Sequence, residues 1–378
     1  MASSALCQDT CSNEQFYAVA SKHGYPIQTH TTVTTDGFHL TMFRLQKGRF
    51  REGLPVAFIQ HGFLQSSEGW VINDAQNSLL VKLIEKGYDV WLGNNRGTKY
   101  SMQNNFHSQD QKQYWEFSFQ QMGLLDQPAM IGYVLKHTGQ PDLVYFGHSQ
   151  GTSQMFAALS DEKTSEFMNK AVRHYVALAP IVFMTHCEQQ FIDSISLYRT
   201  EVIGAFDLLK RWFVEKNNCS PKLSNIEVYN LMCRDGRNLE MCLKPYKFTD
   251  RYPEVNNLPL TGYFVNSKPQ AFSVQILNHY SQIINLHAPK FQKFDWGVAR
   301  NMIEYGQPTP PQFDLSRITT RVTALVGTGD FMSTPADVAD LSKAIPQMKV
   351  QVMDKWGHTT FMLGKVSGPV YDSLLQDL

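Results

Sequence analysis

The sequence predicts an α/β architecture, a mostly parallel sheet flanked by helices and interrupted late in the chain by a mainly helical insertion. Three observations predict it. Short apolar runs bounded by turn residues recur along the chain, and helix-length segments with amphipathic spacing separate them. The alternation then breaks over 184–308 and resumes at RVTALVGTGD. The first run, Val56–Gln60, and those at 88–92, 143–146, 175–178 and 322–326 are rich in Val, Leu and aromatic residues. Uniformly apolar runs of this length read as strands covered on both faces.

The elements follow in order. THTTVTTDGFHLTMFRL alternates around Asp36 and Gly37, which predicts an antiparallel hairpin with a two-residue turn at the edge of the sheet. SLLVKLIEKGY and LDQPAMIGYVLKHTG carry apolar residues at helical spacing and end on glycine, as helices do. MKVQVMDKW reads as a last strand. The insertion contributes the irregular KPYKFTDRYPEVNNLPL, a helical SVQILNHYSQIINL, and EVIGAFDLLKRWFVEK. In the last of these, Phe206, Leu209 and Phe213 form one apolar stripe, suited either to core packing or to a lid that meets lipid. The division expected is a core of 1–183 and 309–378 with a cap of 184–308.

Composition narrows the function. A chain of 378 residues, 43% hydrophobic and 18% charged with a formal net charge of +0, is globular and long enough for a large core plus a second module. Balanced charge without a Lys/Arg run gives no reason to expect nucleic acid as a partner. No apolar run approaches the roughly 20 residues of a membrane-spanning helix. MASSALCQDTCSNEQF has neither a basic nor an apolar leader region, so no secretory signal is predicted from it. Six cysteines occur, Cys7, Cys11, Cys187, Cys219, Cys233 and Cys242, and none has the paired spacing of a zinc site, so no metal is expected. A local disulfide such as Cys233 with Cys242 stands beside the alternative of free buried thiols.

The chemistry centres on VYFGHSQGTSQMF. Ser149 lies between Gly147 and Gly151 where a strand ends and a helix can begin, near Thr152. A turn this sharp needs small flanking residues and lifts the serine hydroxyl above the sheet edge. A hydroxyl needs a base to take its proton, and the base needs an acid to fix its tautomer. Asp330 closes the run VTALVGTGD, and His358 follows the last strand in KWGHTTFM, giving the chain order serine, acid, histidine. Of twelve histidines, His186 and His279 compete from inside the insertion. Asp337 and Asp354 compete for the acid; helix capping accounts for Asp337, and Asp354 is too close to His358 in sequence to approach from a neighbouring strand. Acyl transfer also needs donors for an oxyanion. The turn His61-Gly62-Phe63-Leu64 can offer the backbone N–H of Leu64, and Gln150 offers the N–H after the nucleophile. His61 reads as a hydrogen-bonded support for that turn.

These residues, together with HGYPIQTHTTVTTDGFHL, HGFLQSSEGWV, KGYDVWLGNNRG, YWEFSFQQMGLLDQPAMI, TGQPDLVYFGHSQGTS, LNHYSQIIN and FQKFDWG, give the chain a resemblance to the acid lipases, the α/β-hydrolase group that contains gastric and lysosomal acid lipases. The resemblance spans nearly the whole chain. It implies an α/β-hydrolase fold, a triad of Ser149, Asp330 and His358, an oxyanion hole at Leu64 and Gln150, a cap with a movable lid, and a cap disulfide at Cys233 and Cys242. Two departures stand out. Thr359-Thr360-Phe361 replaces the family's Leu-Asp-Phe after the histidine, and HGF replaces HGL. Asn218-Cys219-Ser220 is the single glycosylation sequon, at Asn218.

The function expected is hydrolysis of long-chain carboxylic esters, triacylglycerol or steryl ester, at a lipid/water interface, through an acyl-enzyme on Ser149 and with no cofactor. An acyltransferase or thioesterase would use the same triad, and an inactive hydrolase fold kept for binding is the alternative outside enzymes. A secreted or lysosomal location follows from the resemblance.

Overall fold

The computed structural model describes residues 16–189, 243, 246–266 and 270–378. Cys233, Cys242, Asn218 and the stripe of Phe206, Leu209 and Phe213 lie outside the described residues. Among the described residues eight strands, β1 (Ile27–Val33), β2 (His39–Leu45), β3 (Val56–Gln60), β4 (Asp89–Gly93), β5 (Leu143–His148), β6 (Val172–Leu178), β7 (Arg321–Gly327) and β8 (Lys349–Met353), form one sheet. Its order is β1-β2-β4-β3-β5-β6-β7-β8. The β1–β2 and β2–β4 pairs are antiparallel, and every later pair is parallel.

The hairpin and its place at the sheet edge match the expectation, but the turn is wider than two residues. β1 stops at Val33 and β2 starts at His39. Phe38 instead bridges to Asn104, and the loop closes through hydrogen bonds from Thr34 N to the Phe38 oxygen and from Gly37 N to the Thr34 oxygen, both 2.9 Å.

Side chains alternate across each strand and feed two cores. Phe58, Trp91, Tyr145 and Tyr175 face one layer, where they meet α2 (Gln127–Thr138) and α3 (Gln150–Ser160). Ile59, Leu92, Phe146 and Val176 face the other, with α1 (Leu79–Glu85) and α8 (Gly368–Leu374). Ser78 caps α1 by accepting from Val81 N, and α2 stops at Gly139, which adopts a left-handed conformation with φ 69°. Among the described residues the remaining helices of eight or more residues are α5 (Val274–Ile284) and α6 (Val298–Tyr305) between β6 and β7 and α7 (Pro335–Ala344) after β7; α4 (Ser165–Ala171) is shorter.

One buried cation ties the hairpin to the loop after β4. Arg96 pairs with Asp36 at 2.6 Å and with Asp126, and its guanidinium lies 4.3 Å from the Phe38 ring centre. Burial pushes the Asp126 carboxyl up to about 6, against the pull of Arg96. Asp126 closes a wider π-helical turn, Met122–Asp126, that sets Met122 against α3.

Candidate active site

Ser149 stands between β5 and α3 with φ 55° and ψ −124°, a strained conformation for a non-glycine residue. Its N–H bonds to the Leu178 oxygen at 3.0 Å, and its oxygen accepts from Thr152 N at 2.8 Å. The flanking glycines are required by close approach. A Cβ on Gly147 would lie 2.7 Å from the Gly151 oxygen, and one on Gly151 would lie 2.8 Å from the Gln60 oxygen. β5 continues to His148, and α3 begins at Gln150 rather than Thr152, so the turn is tighter than the sequence implied.

Asp330 and His358 come together across the ends of β7 and β8. Asp330 Oδ2 lies 2.7 Å from His358 Nδ1, and both side chains are buried. Asp330 Oδ1 accepts from Met332 N at 2.8 Å and Ser333 N at 2.9 Å. With Nδ1 facing a carboxylate, the imidazole carries its proton there, leaving Nε2 as the basic nitrogen. Nε2 is buried and has no hydrogen-bond partner. The elbow is tied to this loop through His148, whose Nε2 donates to the His358 carbonyl oxygen at 2.8 Å, with ring centres 4.9 Å apart.

The turn after β3 approaches the serine from the other side. A Cβ on Gly62 would sit 2.7 Å from Ser149 Cβ and 3.2 Å from its Oγ. Leu64 has φ 61°, a left-handed conformation, and lines one small cavity together with Gln150 of α3. Gln150 is the first residue of α3, where helix N–H groups lack intrahelical acceptors. A cavity of about 10 Å³, room for about one water, is lined by Phe63, Leu64, Met122, Gln150, Phe272 and Ile276 among others. A second cavity, about 420 Å³, lies elsewhere, against Phe183, Phe291, Phe313 and Ala344.

His61 is a support, as expected. Its Nε2 accepts from Asn95 N at 3.1 Å, so Nδ1 donates to the Gly62 oxygen at 2.8 Å. Burial lowers its pKa to about 4, so it stays neutral. Asn95 Oδ1 in turn accepts from Gln60 and Gln154.

The competitors have other work. His279 is fully buried between Ser118 Oγ and the Gln292 oxygen, 2.9 Å from each. Asp337 holds the segment after β6, accepting from Thr185 N, His186 N and the His186 ring, while Thr334 rather than Asp337 caps α7. Thr328 donates to Asp354 at the surface. Cys187 is a free thiol whose Sγ donates to the Met332 oxygen. No group of three or more His, Cys, Asp or Glu side chains among the described residues is arranged to hold a metal ion.

Residues 270–280 pack against this edge. Gln270 N donates to the Leu64 oxygen at 3.2 Å, Phe272 meets Phe63 edge-on with ring centres 4.8 Å apart, and Tyr280 Oη lies 2.9 Å from Ser153 Oγ. Sequence reasoning missed His148, which sits at a variable place in the G-x-S-x-G pattern.

Comparison with known proteins agrees with this architecture. Residues 55–365 match the alpha/beta hydrolase fold family, and residues 16–74 match a partial alpha/beta-hydrolase lipase region. The chain is 33% identical to gastric triacylglycerol lipase of Rattus norvegicus, over 84% of this chain and 79% of that one. It is 32% identical to a putative lysosomal acid lipase/cholesteryl ester hydrolase of Crotalus adamanteus, over 90% and 84%. Naproxen esterase of Bacillus subtilis shares the fold at a TM-score of 0.50 and 14% identity, with 96% of each chain covered. The chain belongs to the α/β-hydrolase fold family and, within it, to the acid lipases.

Proposed function

We propose that Ser149, His358 and Asp330 form the hydrolytic triad of a carboxylic ester hydrolase that acts on long-chain esters. The bond between Asp330 and His358 carries this reading, because it leaves a buried, basic Nε2 beside a strained serine turn. His358 Nε2 takes the proton of Ser149 Oγ as the oxygen attacks the ester carbonyl. The oxyanion that forms is met by the N–H groups of Leu64 and Gln150. His358 then gives its proton to the leaving alcohol, and water repeats the sequence on the acyl-enzyme to release the acid. None of these steps uses a cofactor.

The relatives named for triacylglycerol and cholesteryl esters support a neutral lipid ester as substrate. The insertion, 184–308, is the cap in this reading, and its contacts with Phe63 and Leu64 support a role in covering the serine. The same relatives support a secreted or lysosomal location; peptide mapping without reduction would find Cys233 joined to Cys242 there and two free thiols in a reducing compartment. No helix among the described residues is long and apolar enough to cross a membrane.

A fluorophosphonate probe tests the reading directly. It should label the peptide containing Ser149, and a panel of triacylglycerols, cholesteryl esters, acyl thioesters and short esters should show fastest turnover on long-chain oxygen esters. A protein that is not labelled, or that prefers the thioester, would overturn the proposal. Replacing Phe206 and Phe213 with serine should weaken the rise in activity at a lipid interface while sparing a short soluble ester.

A further inference from the structure

We infer that Asp250, a residue of the insertion, positions His358 by holding the backbone that follows it. This rests on the triad proposed above. Asp250 is buried, and both of its carboxylate oxygens are committed. Oδ1 accepts from Thr359 N at 3.1 Å, and Oδ2 accepts from Thr359 Oγ1 and from Asn256 Nδ2, the latter at 2.8 Å. Thr359 is the residue immediately after His358. A carboxylate that grips both its N–H and its hydroxyl fixes the peptide on which the imidazole is mounted.

The segment around Asp250 is a strap laid over both catalytic loops. Arg251 N donates to the Gly329 oxygen at 2.8 Å and Phe331 N to the Thr249 oxygen at 3.2 Å, which pairs Asp250 with Asp330 as an isolated antiparallel bridge. Further on, Asn256 bridges to Gly364, beyond the histidine. Gly357 gives the strap its closest approach, since a Cβ there would lie 2.4 Å from Asp250 Cγ. One short piece of the insertion therefore sets the spacing between the Asp330 loop and the His358 loop.

Burying a carboxylate is costly unless it is fully hydrogen-bonded, and three donors offset that cost here. A simple apolar contact would hold the strap down without a charge. What a carboxylate adds is direction, because its two oxygens define the orientation of the Thr359 N–H and hydroxyl together. Reacting groups are sensitive to such placement, and a shift of ~1 Å costs about 100-fold in rate.

The test is steady-state kinetics on a short soluble ester, with the melting temperature and the rate of fluorophosphonate labelling measured alongside. Asp250→Ala should lower kcat by about 10- to 100-fold with KM within about 2-fold, and should slow labelling in parallel. Thr359→Val, which keeps shape but loses the hydroxyl, should lower kcat by about 5-fold, Thr359→Ser should restore it, and Asp250→Ala with Thr359→Val should be no slower than Asp250→Ala alone. The threonine variants carry the test if Asp250→Ala fails to fold. Full kcat in a folded Asp250→Ala, a change confined to KM, or a Thr359→Ser as impaired as Thr359→Val would overturn the inference. Ser149→Ala separates the two readings: if it retains turnover the triad itself is wrong, whereas a dead Ser149→Ala beside a fully active Asp250→Ala refutes the positioning role alone.

Discussion

Asp330 binds His358 through one carboxylate oxygen and its own loop through the other. Oδ2 lies 2.7 Å from His358 Nδ1, while Oδ1 accepts from the N–H groups of Met332 and Ser333. The loop bonds stop the carboxylate from turning, so the imidazole meets an acceptor of fixed direction. Its tautomer is thereby fixed, with Nε2 free of a proton.

That arrangement predicts the effect of Asp330→Asn. The loop N–H groups keep the remaining oxygen, so the amide NH₂ must face His358 and donate to Nδ1. The imidazole proton then moves to Nε2, and the base is lost. Turnover of a soluble ester should fall about 10⁴-fold while the melting temperature changes little. A loss below ~10-fold in a folded variant would show that Asp330 does not set the tautomer.

Gly62→Ala should damage the site without touching a triad residue. The added methyl would sit 2.7 Å from Ser149 Cβ and 3.2 Å from Oγ, too close for either to stay in place. Either the serine shifts or the turn bearing Leu64 is pushed away from α3. We expect kcat to drop about 100-fold and the protein to lose ~1–3 kcal/mol of stability. Kinetics at a temperature well below unfolding would separate the two effects, and an unchanged kcat would mean that the turn is not in register with the serine.

Much of this site was legible in the sequence because its parts lie at ends of strands that the sequence marks clearly. Ser149 and Asp330 each follow an apolar run, His358 follows the last strand, MKVQVM, and strand ends on one edge of a parallel sheet meet in space. The wide hairpin turn was not legible, because it depends on Phe38 pairing with Asn104, far along the chain. Asp250 was hidden for the same reason. Its partner Thr359 is 109 residues away, and nothing in KPYKFTDRYPEVNNLPL repeats with a period that could reveal a strap. The early start of α3 reflects close packing at Gly147 and Gly151, which fixes the turn before any helical pattern begins.

Gly132→Ala should stabilise the protein. Gly132 lies inside α2, where glycine is costly, and a Cβ there would meet only Phe167 Cζ at 3.8 Å, an ordinary contact. The gain expected is ~0.5–1 kcal/mol, read as a higher denaturant midpoint at unchanged slope. A lower midpoint would mean that α2 cannot accept the methyl without shifting against its neighbours.

Stability should also fall as the pH drops below 6.5, in part because His61 and His279 are buried in the neutral form. Burial lowers the pKa of His61 to about 4 and that of His279 to about 3, from an ordinary value of 6.5. The unfolded chain takes up protons as the pH falls through 6.5, while the folded chain does not until those lower values. Their contribution is therefore complete above 6.5 and is lost progressively below it, by about 2 kcal/mol per histidine at pH 5. Asp126, raised to about 6 by burial, acts in the opposite sense over part of this range, so the total slope mixes several groups. A difference isolates one of them. His279→Gln removes the titrating ring and should be less stable than the native protein at pH 7.5, because the bonds to Ser118 and Gln292 are disturbed. Its stability should nevertheless fall less steeply on acidification, by about 1.4 kcal/mol per pH unit between pH 6 and pH 4. Urea unfolding across that interval measures both slopes, and parallel slopes would mean that His279 becomes charged within the folded protein.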